Sequence, residues 1–122
     1  MSENQYHQIL TDLGEPVKEL RSHIPEVWRG FAELHRAALA DGAVPAAMKE
    51  MVAVAIAVAR ECDSCIASHT RGAARKGATP EQMAEVLGVT VLMLGGPGTV
   101  YGPRAWESFM EFYRAMHPEA AS

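Results

Sequence analysis

The chain has 122 residues and a mass of 13.2 kDa, a length that fits one compact domain and leaves no room for a second hydrophobic core. Hydrophobic residues make up 48% and charged residues 21%, close to the averages of globular proteins, which excludes wholesale disorder. The net charge of −4 offers no strongly basic face to a nucleic acid or an anionic membrane, so we expect neither as a partner.

The amino-terminal segment, Met1 to Gln8, has neither the positive charges nor the apolar run of a signal peptide. The longest uncharged stretch, Val86 to Pro103, is broken by glycines and a proline and is therefore not expected to span a membrane. We expect the protein to be cytoplasmic.

Proline and glycine divide the chain into about six segments of helical length, which predicts an all-α fold in a single domain over residues 1–122. The first segment runs from about Tyr6 to Ser22. Gly14 and Pro16 are expected to interrupt it and to split it into a lead-in and a true helix.

The second segment begins at Ile24-Pro25, because proline suits the first helical turn, and continues to Ala40, before Asp41-Gly42. Four of its residues share one face at the spacing of a buried stripe: Trp28, Phe31, His35 and Leu39. We expect His35 to serve packing in the core or between subunits.

The third segment, Pro45 to Arg60, gives an ambiguous local signal. Residues 51–59 alternate large and small side chains with period two, which alone favours a strand. Pro45 suits a first helical turn, the alanines are strong helix formers, and the segment is longer than a usual strand. The segment is therefore predicted to be a helix, and its apolar character all round predicts that the other helices surround it.

The fourth segment follows a break at Glu61-Cys62-Asp63 and runs to Lys76-Gly77, with Asp63 or Ser64 as its expected N-cap. The fifth opens with the N-cap Thr79 and the first-turn Pro80, and ends near Leu94.

The sixth segment is predicted from about Thr99 to Met116, after a turn at Gly95-Gly96-Pro97-Gly98. Gly102 and Pro103 are expected to delay its start. Its predicted apolar stripe consists of Trp106, Phe109, Met110 and Tyr113.

The residues most able to carry chemistry are Glu50, Cys62, Cys65 and His69, spaced as Glu-x11-Cys-x-x-Cys-x-x-x-His. If the fourth helix starts beside Asp63, Cys65 lies in its first turn, where unpaired amides and the helix dipole favour a thiolate. His69 lies one turn further along the same face, within reach of the thiol. Cys62 directly precedes this turn, so the pair can close a small disulfide.

In a reducing cytoplasm, such a cysteine pair indicates redox chemistry or metal binding more strongly than a structural disulfide, and incidental core cysteines stay a third possibility. Glu50 lies near the start of the apolar third helix, where a desolvated carboxyl group can accept and donate protons. Spacing alone does not establish whether Glu50 reaches His69.

This pattern, with Lys49-Glu50, Cys62-Asp63-Ser64-Cys65, His69 and Gly77-Ala78-Thr79, resembles the alkylhydroperoxidase D-like branch of the carboxymuconolactone decarboxylase family. The resemblance covers most of the chain, with a core of about residues 24–112. It implies an all-helical fold of about six helices and a homo-oligomer, a trimer or a hexamer, with short one-domain members resembling the hexameric kind.

The resemblance also implies thiol-dependent reduction of hydroperoxides without a cofactor or metal, and reduction of the resulting disulfide by a dithiol donor such as a lipoyl protein. Glu50 and His69 match the family's proton relay, and Cys62 and Cys65 match its redox pair. The best-known peroxidase members place a histidine immediately before the second cysteine, where this chain has Ser64.

Two other functions are compatible with the sequence. One is a lactone enzyme like the decarboxylase members of the family, which lack the cysteine pair. The other is a metal-binding or structural helical module, in which Cys62, Cys65 and His69 would be the ligands.

Overall fold

The computed structural model describes residues 4–121, so the first residues of the segment in which a signal peptide was sought lie outside it. Within that range there are helices and no strand, and a short 3₁₀ turn, Pro118–Ala121, follows the last helix. The helices are α1 (Gln5–His23), α2 (Pro25–Leu39), α3 (Ala46–Ala59), α4 (Asp63–Arg75), α5 (Pro80–Leu94) and α6 (Gly96–Met116). The predicted all-α fold of about six helices is confirmed.

Several helix boundaries follow directly from local chemistry. Thr79 caps α5 through a reciprocal capping box with Gln82, in which each side chain bonds the other residue's backbone amide. Gly77 adopts a φ of 96° just beyond α4, a left-handed conformation that glycine accepts without a steric penalty. Asp41 accepts a hydrogen bond of 2.7 Å from the amide of Ala46, which fixes the start of α3.

Two predicted interruptions are wrong. Helix α1 is continuous through Gly14 and Pro16, and α6 begins at Gly96 and continues through Pro103. Both prolines are exposed, so the carbonyl group that each leaves without a helical donor lies on the solvent side of its helix.

The core lies between α3, α4, α5 and α6, and α1 covers one side of it. Ile66, Ala67 and Phe109 are fully buried there. Thr70 on α4 and Ser108 on α6 join the two helices through a buried hydroxyl pair, with 2.6 Å between the oxygens. Tyr6 from α1 belongs to the same cluster, where burial and nearby carboxylates raise its pKa to about 12.

Close packing of α6 on α5 explains why α6 starts earlier than the sequence predicts. A Cβ atom at Gly98 would lie 2.7 Å from the carbonyl oxygen of Thr90, so only glycine permits this approach. Gly96 and Gly98 therefore lie in the first turn of the helix, Gly98 makes the close contact with α5, and the predicted turn over residues 95–98 is shortened to the N-cap Gly95.

Helix α3 is not surrounded by the other helices, as its composition had predicted. One face, which includes Met51, Val54 and Val58, is buried. The opposite face is 45–60% exposed at Met48, Val52 and Ile56. These side chains and those of α5 line an apolar groove of ≈ 410 Å³. The sequence does not distinguish the buried face of α3 from its exposed face, because the side chains on both faces are apolar.

The predicted stripe of α2 is not buried either. No residue of α2 is buried: Phe31 is 61% exposed, His35 is exposed, and Trp28 and Leu39 are only partly covered. The reason is that the backbone of α2 comes close only to α1 and α3, and only over a short part of its length.

On α6, Phe109 is buried, Met110 and Tyr113 pack partly against the core, and Trp106 stays 37% exposed. The predicted stripe of α6 is therefore correct for these three residues and wrong for Trp106. None of the helices in residues 4–121 combines the length and the apolar character needed to cross a membrane.

Candidate active site

The turn between α3 and α4 brings the cysteine pair to the start of α4. Glu61 adopts a φ of 55°, in the left-handed region that residues with a side chain rarely occupy. The amide of Cys62 then donates to the carbonyl oxygen of Ala57 at 3.1 Å, which closes the end of α3. The chain reverses within a few residues, and Cys62 is held immediately before the first turn of α4.

Cys62 and Cys65 form a disulfide whose Cα atoms lie 5.3 Å apart. The sulfur of Cys62 also accepts a hydrogen bond of 3.2 Å from the backbone amide of Cys65. Cys62 is therefore the N-cap of α4, and the prediction of Asp63 or Ser64 is wrong. The reason is that Cys62 has the extended backbone of an N-cap, and the disulfide holds its sulfur over the first turn. Cys65 is exposed, whereas Cys62 is partly covered.

Glu50 and His69 are brought together by the packing of α3 against α4. His69 Nδ1 lies 2.7 Å from Glu50 Oε1, where the imidazole donates to the carboxylate. Glu50 is 8% exposed and His69 is partly buried. A carboxylate that fixes one imidazole nitrogen also fixes the tautomer and leaves the other nitrogen for chemistry.

Gly72 makes room for the Glu50 carboxylate. A Cβ atom at position 72 would lie 1.8 Å from Glu50 Oε2, so any side chain there would displace the carboxylate. Gly72 is not among the site residues predicted from the sequence. A glycine inside a predicted helix costs about 1 kcal/mol of helix stability relative to alanine. Its presence at position 72 therefore indicates that a neighbouring group packs too closely for a side chain.

Positive charge lies close to the Glu50 carboxylate. Partial burial and the nearby Arg75 lower the pKa of the Arg71 guanidinium, and the charge of Glu50 opposes this shift. At the other end of the site, Asp63 pairs with Arg104 of α6, with 3.3 Å between the charged atoms. The pair joins the start of α4 to a second helix.

The disulfide and His69 line one open pocket of ≈ 520 Å³. Its remaining lining residues come from α3 and the turn that follows it: Ala53, Ile56, Ala57 and Arg60. Sulfur, imidazole and solvent therefore meet in a space that a small molecule can enter. In the part of the chain that the structure describes, no three histidine, cysteine, aspartate or glutamate side chains are grouped to hold a metal ion.

His35 is exposed in the single chain and therefore does not pack in the core, while its packing between subunits stays a prediction. Its ring stacks on the His69 ring, with the centroids 5.9 Å apart and the planes 21° from parallel. Nothing in the local sequence around His35 indicates this contact, because the contact depends on how α2 lies against the site.

The chain is similar to known proteins. The model of the carboxymuconolactone decarboxylase family matches residues 25–108, which include Glu50, both cysteines and His69. An uncharacterized protein of Cupriavidus necator is 42% identical over 100 residues, which make up 82% of this chain and 88% of that protein.

Two solved structures are also similar. A crystal structure of a carboxymuconolactone decarboxylase family protein from Legionella pneumophila has a TM-score of 0.87 and 37% identity, and the match covers 90% of this chain and 98% of that one. A structure from Burkholderia xenovorans has a TM-score of 0.76 over 93% of this chain and 98% of its own, at 20% identity, and supports the fold alone.

Proposed function

Because the chain belongs to the carboxymuconolactone decarboxylase family, we propose that it is a cofactor-free thiol peroxidase or disulfide oxidoreductase of the cytoplasm. The observation that carries the proposal is the Cys62–Cys65 disulfide at the start of α4, in one pocket with a His69 that Glu50 holds at 2.7 Å. Redox thiols, an entry for a small molecule and a proton carrier are the three requirements of this chemistry.

The peroxidase cycle begins with the reduced pair. The Cys65 thiolate attacks the terminal oxygen of a hydroperoxide, so that an S–O bond forms and the O–O bond breaks. His69, supported by Glu50, gives a proton to the departing alkoxide, which leaves as an alcohol. Cys65 is assigned to the attack because it is the more exposed cysteine and lies in the first helical turn.

The second half of the cycle restores the dithiol. The Cys62 thiolate attacks the sulfenic sulfur of Cys65, and hydroxide leaves with a proton as water. An external dithiol, such as the dihydrolipoyl group of a partner protein, then supplies two electrons and two protons to reduce the disulfide. The sum is one hydroperoxide and one external dithiol converted to an alcohol, water and an oxidised donor.

Trapping of the sulfenic acid tests the order of attack. With Cys62→Ser, peroxide should leave a stable sulfenic acid on Cys65, which dimedone labels. With Cys65→Ser, peroxide consumption should fall to the rate of the double serine variant. Labelling of Cys62 in the second variant, with none of Cys65 in the first, would reverse the assignment. Wild-type protein that keeps both free thiols after peroxide treatment would overturn the peroxidase proposal.

A lactone activity would be distinguished by its independence of the thiols. The protein that carries both Cys62→Ser and Cys65→Ser should have no turnover if the proposal is correct. Retained decarboxylation of a muconolactone by that variant would favour the lactone enzyme instead.

The proposal includes a homo-oligomer, a trimer or a hexamer. The large apolar side chains exposed on this chain cluster on α2, α3 and α5; among them Leu92 is 80% exposed and Met93 is 74% exposed. An exposed apolar face of this kind on a small helical chain is best covered by the apolar faces of other copies of the same chain. Leu92→Glu should therefore lower the mass found by sedimentation equilibrium, whereas Leu13→Glu on α1 should not. A monomeric wild-type protein at micromolar concentration would overturn this part of the proposal.

A further inference from the structure

His35 contacts the candidate site from a helix that otherwise packs lightly. The His35 ring is stacked on the His69 ring. The ring of Phe31, which is also on α2, has its centroid 6.3 Å from that of His35 and its plane tilted by 48°. No residue of α2 is buried in the chain, so this stack is an unusual contact for an outer helix. The peroxidase cycle proposed above assigns His35 no role.

The hydrogen bond to Glu50 leaves one motion of His69 free. A single bond from Nδ1 to the carboxylate fixes that nitrogen, but the ring can still tilt about the bond and change the direction of Nε2 in the pocket that the ring shares with the cysteines. A flat ring held against one face of the imidazole restricts this tilt, because aromatic rings in contact prefer a narrow set of offsets and angles. The angle of 21° between the planes and the centroid distance of 5.9 Å lie within the range of stacked aromatic pairs.

We propose that His35 is a positioning residue for His69: its stacked ring keeps the His69 imidazole aimed at the Cys62–Cys65 pair. His35 itself transfers no proton in this proposal, and its contribution is that of a flat ring. The inference rests on the proposed function in so far as it gives His69 a proton to deliver. The stack itself, and its effect on the orientation of His69, do not depend on that function.

The kinetics of two variants distinguish a role of the flat shape of the His35 ring from a role of its nitrogen atoms. His35→Ala removes the ring, and we expect kcat for peroxide to fall by about 10–100-fold with KM nearly unchanged, since small misplacements of a reacting group have effects of this size. His35→Phe keeps a flat ring and should restore kcat to within about threefold of wild type. His23→Ala, an exposed histidine at the end of α1, is the matched control and should behave as wild type.

NMR of the oxidised protein tests the stack without any turnover. In the wild type, His69 should give one set of ring signals, with an Nδ1 proton that the Glu50 bond protects from exchange. His35→Ala should speed that exchange or split the signals, while His35→Phe and His23→Ala should leave them unchanged. Circular dichroism of each variant ensures that helix content is retained.

Each outcome decides the inference. A His35→Phe variant as slow as His35→Ala would show that the ring nitrogens are needed, and would overturn positioning by a flat ring. Unchanged His69 signals in His35→Ala would overturn it as well. If wild-type protein consumes no peroxide, only the proposed function fails, because the His69 signals of the three variants still test the stack.

Discussion

Helices α4 and α2 each contribute one histidine to the same ring stack, yet the chain holds them in opposite ways. Helix α4 buries five residues, shares a hydroxyl pair with α6 and packs along α3. Helix α2 buries none and leaves Val27, Phe31 and Leu34 more than 60% exposed. The orientation of His69 is thus built into the core of one chain, whereas that of His35 depends on a helix held at few points.

The difference separates two requirements of the site. The cysteines, His69 and Glu50 need only α3 and α4, so their geometry is set as soon as these helices pack. The contact from His35 is an addition from outside the core. Substitutions in α4 should therefore affect stability and chemistry together, while substitutions in α2 should affect chemistry or assembly and leave the stability of the chain nearly unchanged.

The largest expected effect is that of a cavity in α4. Ile66 is fully buried, so Ile66→Ala should lower the free energy of unfolding by about 2–5 kcal/mol, measured by urea denaturation. Leu34→Ala in α2, where the side chain is 64% exposed, should change it by less than about 0.5 kcal/mol in the dissociated chain. Equal losses for the two variants would contradict the contrast between the helices.

The two helices should also respond with opposite sign to the same substitution. Gly72→Ala in α4 places a methyl group 1.8 Å from Glu50 Oε2. We expect this variant to lose about 1–3 kcal/mol of unfolding free energy and also to lose peroxidase turnover. Gly30→Ala in α2 meets nothing within 4 Å and should gain about 0.5–1 kcal/mol from helix propensity. Thermal unfolding of both variants measures the difference, and stabilisation by both would refute the role given to Gly72.

A smaller effect is expected from the acidic residues in the first turns. Asp63→Asn removes the pair with Arg104 and a favourable charge at the start of α4, and should cost about 0.5–1 kcal/mol. Glu26→Gln, in the first turn of α2, should lose only the dipole part. Both losses should shrink in 1 M salt, where screening acts within about 3 Å. An Asp63→Asn loss that is independent of salt would assign the effect to packing instead.

The effect of Tyr6 is absent at neutral pH and confined to alkaline solution. Its pKa is raised from 10.0 to about 12 in the folded chain, so the unfolded chain loses this proton first as the pH rises. The contribution of this shift to the free energy of unfolding is complete below pH 10 and disappears as the pH rises towards 12. Tyr6→Phe should therefore lose less stability than wild type over that interval and show no such difference at neutral pH. If the unfolding free energies of the two proteins changed equally with pH over the whole range, the raised pKa of Tyr6 would be contradicted.

Local sequence signals predict helix ends well where the deciding atoms are neighbours in the chain. Thr79 as the N-cap of α5 and Gly77 as the stop after α4 are read from neighbouring residues, and the structure confirms both. The same rules fail at Pro16 and Pro103, because whether a proline ends a helix depends on what the freed carbonyl faces. That environment is a property of the folded chain.

The candidate site shows the same limit at larger distance. The placement of Cys65 in the first turn of α4 and the closure of a disulfide follow from spacing along one segment, and the structure agrees. The bond between Glu50 and His69 joins residues on two helices, and the space at Gly72 and the ring of His35 are likewise set by packing. Periodicity places a residue on a face but does not state which neighbour covers that face.

The sulfur of Cys62 is bonded to one sulfur and accepts a hydrogen bond from an amide of the same neighbouring residue, Cys65. Two-electron reduction of the pair breaks the S–S bond, so the acceptor of that amide changes from a disulfide sulfur to the sulfur of a free cysteine. The Cys65 backbone resonance becomes an internal reporter of oxidation state. A reduction potential can then be obtained by following one cross-peak against a redox buffer, with no dye, label or coupled enzyme.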